Sequence, residues 1–169
     1  MRERDYVRSV PPNRLQQKVL EFFSRQKSTT KIDDVRFVST YQDKHIDALW
    51  WFKDRHGTIA HKSLEVRISH AIHPVLYVET VANINRRTKG ALFKTHADHW
   101  CVFFDMLQCL LIVPVKNLRT LVETHSYRRI SVPVSRYQGV VGERAEGVLV
   151  PIEDIVEEIS DVVLVRRFG

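Results

Sequence analysis

Two acidic residues and a basic one stand where a divalent cation could be held. Asp47 lies in the apolar and aromatic run His45 to Lys53 (HIDALWWFK), which reads as a strand. A carboxylate among Ile46, Ala48, Leu49 and Trp50 is costly to bury unless it is paired or bound to a cation. Downstream, Lys62 to Ile68 (KSLEVRI) alternates in polarity. Glu65 and Arg67 therefore share one face of a strand, and Leu64, Val66 and Ile68 share the other. If the two strands pair as a hairpin, the carboxylates of Asp47 and Glu65 converge. Such a pair can hold Mg²⁺ or Mn²⁺ with open water positions. The ion would activate water and offset the charge that builds on a phosphate under attack, and a nearby cation would add to that stabilisation. A plainer account exists. Glu-x-Arg on a strand is often a solvated ion pair, and Asp47 can cap a turn or pair with Lys44 or Lys53. Spacing alone favours the plainer account, because short acidic motifs recur by chance.

A second constellation is basic. Arg86, Arg87, Lys89 and Lys94 gather around the polar stretch Asn83 to Gly90, and Arg128, Arg129 and Arg136 lie among Tyr127 and Tyr137. Cations interleaved with aromatics suit contact with phosphates and stacking on bases; a solvated charge run is the alternative. His96 and His99 precede Cys101 and Cys109, but this is not zinc-finger spacing and no Cys-x-x-Cys is present. Nor is there a Gly-rich phosphate loop, a nucleophile elbow or a dinucleotide fingerprint.

The elements that must position these residues can be read from periodicity. Pro11-Pro12-Asn13 precedes a helix over Arg14 to Gln26, with Leu15, Val19, Leu20, Phe22 and Phe23 on one face. Lys27 to Lys31 reads as a polar connector, Val35 to Ser39 as a short strand, and Asp54 to Gly57 as a turn. Leu76 to Val81, Trp100 to Phe104 and Cys109 to Val113 read as further strands. Lys116 to His125 reads as a helix, Tyr127 to Val150 as strands and turns, Pro151 to Ile159 as a helix, and Asp161 to Val165 as a last strand. The expected class is α/β (α+β), with a mixed central sheet flanked by helices in the order αβββ(β)–β–β–α–β–α–β. A single domain over residues 1–169 is expected, with 1–13 a flexible N-terminal segment.

Composition sets the boundary conditions. The chain has 169 residues, is 44% hydrophobic and 27% charged, and so reads as globular. A net charge of +6 favours an anionic partner. Two cysteines in apolar surroundings suggest buried thiols in a reducing compartment. The charged N-terminus has no apolar segment behind it, and no apolar run approaches a membrane span, so a cytoplasmic protein without membrane contact is expected.

Taken together, Asp47, Glu65-Val66-Arg67, Tyr77-Val78-Glu79-Thr80 and Ala91 to Trp100 (ALFKTHADHW) resemble the PD-(D/E)XK nuclease superfamily. The resemblance is to small phage and bacterial members of the Holliday-junction-resolvase type, and it spans roughly residues 14–125. It implies a restriction-endonuclease-like core and Mg²⁺-dependent DNA cleavage. Asp47 and Glu65 match the metal-binding carboxylates, with the Val66 carbonyl as a backbone ligand. Glu21 is a candidate for the extra acid on the first helix, and Glu79 for a downstream acid. Arg67 departs from the pattern by standing where the motif lysine belongs. An arginine keeps the charge but cannot act as a base, so Lys94 is the neighbouring lysine that could substitute. DNA is the expected partner, and a homodimer would suit the resolvase-like resemblance. The alternative is a decayed nuclease fold that binds nucleic acid or a protein, for instance a phage protein acting on a host factor.

Overall fold

A computed structural model describes residues 12–134 and 143–167. Arg136 and Tyr137 lie outside the described residues. The first helix begins at Pro12, inside the segment expected to be flexible. In chain order the elements are α1 (Pro12–Ser24), β1 (Thr29–Asp34), α2 (Ser39–Gln42), β2 (Ala48–Lys53), β3 (Ile59–Ser69), β4 (Val75–Asn83), β5 (Thr88–Lys89), α3 (Ala91–Lys94), β6 (His99–Phe104), β7 (Cys109–Pro114), α4 (Val115–Thr124), β8 (Arg128–Pro133), β9 (Arg144–Pro151), α5 (Ile152–Glu158) and β10 (Val163–Arg166).

The class is α+β, with a mixed central sheet. That sheet has the order β1-β2-β3-β6-β7-β10, and all its pairings are antiparallel except β3 with β6. A second, antiparallel sheet, β5-β4-β9-β8, was not foreseen. The strand expected from Val35 to Ser39 is instead a turn leading into α2, and the strand at the sheet edge is the polar run Thr29–Asp34. An edge strand has one neighbour and buries little, so its residues carry no apolar alternation to read.

Each face of the central sheet has its own core. Leu15, Val19, Leu20 and Phe23 of α1 pack on Ala48, Leu64, Val66, Cys101, Phe103, Leu110 and Ile112. On the opposite face, Trp100, Val102, Phe104, Leu111 and Val113 meet Leu76, Val78, Val148 and Val150 of the second sheet and Leu118, Leu121 and Ile155 of α4 and α5. β6 is covered on both sides, which is why His99 to Phe104 reads as a continuous apolar run and not as an alternation. Both cysteines are free and buried, and burial pushes the Cys101 thiol up. Among the described residues no helix is long and apolar enough to cross a membrane.

α3 is seated by a close backbone approach. A Cβ on Gly90 would lie 2.1 Å from the Glu79 carbonyl oxygen, so only glycine lets the chain pass over β4 there. The Glu79 carboxylate then accepts the Ala91 N–H at the start of α3.

Candidate functional site

The site lies where β2 and β3 part. The two strands pair from Lys53–Ile59 to Ala48–Leu64, while β3 runs on to Ser69. Asp47 therefore precedes β2 and is not in mid-strand. Its N–H donates to the Leu64 carbonyl at 2.8 Å, and its own carbonyl accepts the Val35 N–H at 2.9 Å. The backbone has turned from β3 toward the Val35 turn. The side chain continues the ladder in its place, with Oδ2 accepting the Val66 N–H at 2.7 Å.

Asp47 and Glu65 line one pocket of about 350 Å³, together with Gln16, Gln42, His45, Ile46, Val66 and Arg67. Glu65 is 2% exposed. One of its oxygens, Oε1, is in a short ion pair with Arg67. The other, Oε2, is buried and has no hydrogen-bond partner among the described residues. Thr95, whose hydroxyl is close enough to favour the Glu65 carboxylate, donates to the His45 carbonyl at 2.8 Å.

Burial raises the pKa of both carboxylates. For Asp47 the Val66 N–H, Arg67 and Arg36 oppose that rise without cancelling it. For Glu65, Arg67 and the Thr95 hydroxyl oppose it, and the charge on Asp47 adds to it. The charge on Asp47 thus reaches Glu65 across one pocket.

That donor set fits a hard divalent ion. The Asp47 and Glu65 carboxylates and the Val66 carbonyl are oxygen donors, and Mg²⁺ is commonly held by one or two carboxylates with water completing the shell. Among the described residues, no three His, Cys, Asp or Glu side chains gather at one point, so any ion here would rest on two carboxylates, backbone and water. His99 is half-buried with its pKa lowered by burial, and Cys101 faces the α1 core.

No family model, curated protein or solved structure matches the chain, so its own geometry must carry the functional argument.

The remaining expected site residues are dispersed. Arg67 has a half-exposed side chain, its guanidinium carbon is 5.9 Å from the Trp100 ring centre, and its Nε lacks a partner among the described residues. Lys94 does not line the acidic pocket. It lines an adjoining cavity of about 640 Å³ between the two sheets, which it shares with Arg67, His45, Glu79 and Trp100. Glu21 is on the exposed side of α1, 4.0 Å from Arg25; the helix residue that reaches the pocket is Gln16. Arg86, Arg87 and Lys89 are on the β4–β5 connection and β5, and Arg128 and Arg129 on β8, all in the second sheet or its turn. Arg86 pairs with Glu143 at 3.1 Å and Arg129 with Glu146 at 2.8 Å.

Three residues of the site region carried no signal in the sequence. Gln16 donates to the Val66 carbonyl at 3.2 Å. Arg36 donates to Gln16 Oε1 at 3.0 Å. His45, read as the start of a strand, has φ 52° and turns the chain into Asp47. A non-glycine residue with positive φ is uncommon, and Arg87, Gln108, Asp161 and Arg167 share it among the described residues.

Proposed function

We propose that the chain is a Mg²⁺- or Mn²⁺-dependent endonuclease that cleaves phosphodiester bonds in DNA at the Asp47–Glu65 pocket. The observation that carries this reading is the buried, unpartnered Oε2 of Glu65 in the same pocket as Asp47. An acceptor left in that state is costly, and a bound cation removes the cost. The layout of α1, then the antiparallel β1-β2-β3, then β6 parallel to β3, supports a restriction-endonuclease-like core.

Asp47, Glu65 and the Val66 carbonyl would hold the ion, which when bound activates water and offsets charge on the phosphate. Arg67 cannot take up a proton, so its part is to hold Glu65 and to steady phosphate charge. Lys94 contacts the substrate backbone from the adjoining cavity. Arg86, Arg87, Lys89, Arg128 and Arg129 grip the strand more remotely. A cytoplasmic setting and a homodimer belong to the same proposal. The test is cleavage of duplex, junction and single-stranded DNA with Mg²⁺ or Mn²⁺. Cleavage that disappears in Asp47→Ala supports the reading; no cleavage of any form, with no Mn²⁺ bound, refutes it.

One observation favours a second reading. Arg67 already gives Glu65 a counter-charge, as in a fold that has exchanged catalysis for binding. Such a module shows salt-sensitive nucleic-acid binding that survives Asp47→Ala, and no affinity for divalent metal.

A further inference from the structure

The turn between β1 and α2 presents an aromatic ring to solvent. Phe37 is 77% exposed, more than any other large hydrophobic among the described residues, and Val38 beside it is 45% exposed. A single exposed apolar residue is ordinary. The mounting of this one is not.

The turn is fastened at every residue around Phe37. The Val38 N–H donates to the Val35 carbonyl at 3.0 Å. The Arg36 carbonyl accepts from Gln42 Nε2 at 2.7 Å. The Arg36 side chain is only 11% exposed, and its Nε donates to Asp34 at 2.9 Å. The backbone that carries the ring is thus tied down by hydrogen bonds, and less of it need be ordered when the ring meets a ligand.

Hydrogen bonds connect this turn to the acidic pocket. Gln16 links Arg36 to the Val66 carbonyl, Gln42 both lines the pocket and holds Arg36, and Val35 is bonded to the backbone of Asp47. Phe37 is two residues from Val35, so the two Cα atoms are at most about 7.6 Å apart. The Arg36 guanidinium carbon lies over one face of the Phe37 ring, 5.9 Å from its centre, while the ring as a whole stays 77% exposed. A ring with a cation over one face and the other open to solvent, a few residues along the chain from the proposed cleavage pocket, fits one kind of occupant well: a nucleobase.

We infer that Phe37 is a stacking platform for an unpaired base of the nucleic-acid substrate, next to the bond presented to Asp47 and Glu65. This rests on the nuclease reading and adds to it a preference for an unpaired base in a single-stranded overhang. A paired base offers no free face for the ring without unstacking its neighbours, so blunt duplex gains little.

The experiment is fluorescence anisotropy of the intact protein in chelator, so that binding is read without cleavage. Two labelled probes are used, a duplex with a single-stranded overhang and the same duplex with blunt ends. Phe37→Ala is expected to weaken binding of the overhang probe about tenfold or more and to change binding of the blunt probe less than about twofold, whereas Phe37→Trp retains overhang binding. Ile59→Ala, an exposed apolar residue in β3, is the control and leaves both unchanged. Thermal melting of Phe37→Ala should match the wild type, since the ring buries little. Equal affinity of Phe37→Ala and wild type for the overhang, or an equal loss on both probes, overturns the inference and leaves the cleavage reading standing. Failure of the wild-type protein to bind either probe overturns both. Cleavage that fails with Mg²⁺ while the Phe37 effect persists removes the nuclease reading alone.

Discussion

The carboxylate of Asp47 accepts the backbone N–H of Val66, so a side chain makes the bond that a strand would otherwise make. One residue thereby holds the end of β3 in place and contributes an oxygen to the pocket. These two roles can be separated by substitution. Asp47→Ala leaves the Val66 N–H without its acceptor and should cost about 1–3 kcal/mol in denaturant unfolding. Asp47→Asn keeps an acceptor and should recover most of that stability. Metal-dependent cleavage should be lost in both. A variant that unfolds normally yet cleaves would remove Asp47 from the chemistry.

Glu65 gives a prediction about pH. Its pKa is raised by burial, so the folded state binds the proton more tightly than the unfolded chain does. A raised carboxylate penalises folding as pH climbs above its ordinary value of 4.5, and the penalty grows until pH passes the folded value. Glu65→Gln should therefore match or exceed wild-type stability at neutral pH, with the advantage shrinking in acid. Mg²⁺ should raise the melting temperature of the wild type and not of Glu65→Gln. A melt in which both proteins respond equally to Mg²⁺ would count against a site at Glu65.

Asp98 behaves in the opposite sense. Burial opposes its ionisation, but the N–H and hydroxyl of Ser63, at 2.8 and 2.9 Å, together with Lys62, hold its pKa below the ordinary value of 3.8. Its contribution is present above that value and is lost as pH falls through the depressed folded value. Asp98→Asn should be less stable than wild type at neutral pH, and the two should converge in strong acid. Ser63→Ala should cost about 1 kcal/mol. The measurement is unfolding free energy across the acid range.

Arg67→Ala removes the counter-charge of a buried carboxylate and should cost about 2 kcal/mol. Divalent metal should restore part of this loss, because a cation at Glu65 does electrostatically what the guanidinium did. Arg67→Lys should retain cleavage. Loss of stability that Mn²⁺ leaves untouched would show that the ion does not bind at this carboxylate.

Much of this arrangement was legible in the residues. Alternation from Ser63 to Ile68 placed Glu65 and Arg67 on one face, where they form an ion pair. The apolar spacing in α1 and α4 gave both helices. The two tryptophans of β2 point to opposite faces. Trp50 packs against Phe23 with ring centres 5.1 Å apart, while Trp51 faces away, stacks on His61 at 4.6 Å and donates to Asp33 at 2.9 Å. What periodicity could not give was partnership between distant segments. The second sheet depends on β4 pairing with β9, some seventy residues on, and nothing local in either strand names the other. Gln16 and Arg36 escaped for a related reason. Polar residues at the border of a buried stripe look like any solvated flank, and their value comes only from what the fold sets opposite them.

The single parallel pairing, β3 with β6, has a consequence for how the molecule assembles. The connection from Ser69 to His99 must first be spanned by β4, β5 and α3, so this pairing is slow to close. The contact between Asp47 and Val66 is only 19 residues long and lies within a meander of neighbouring strands. The acidic corner can therefore take shape early, from local pairing alone.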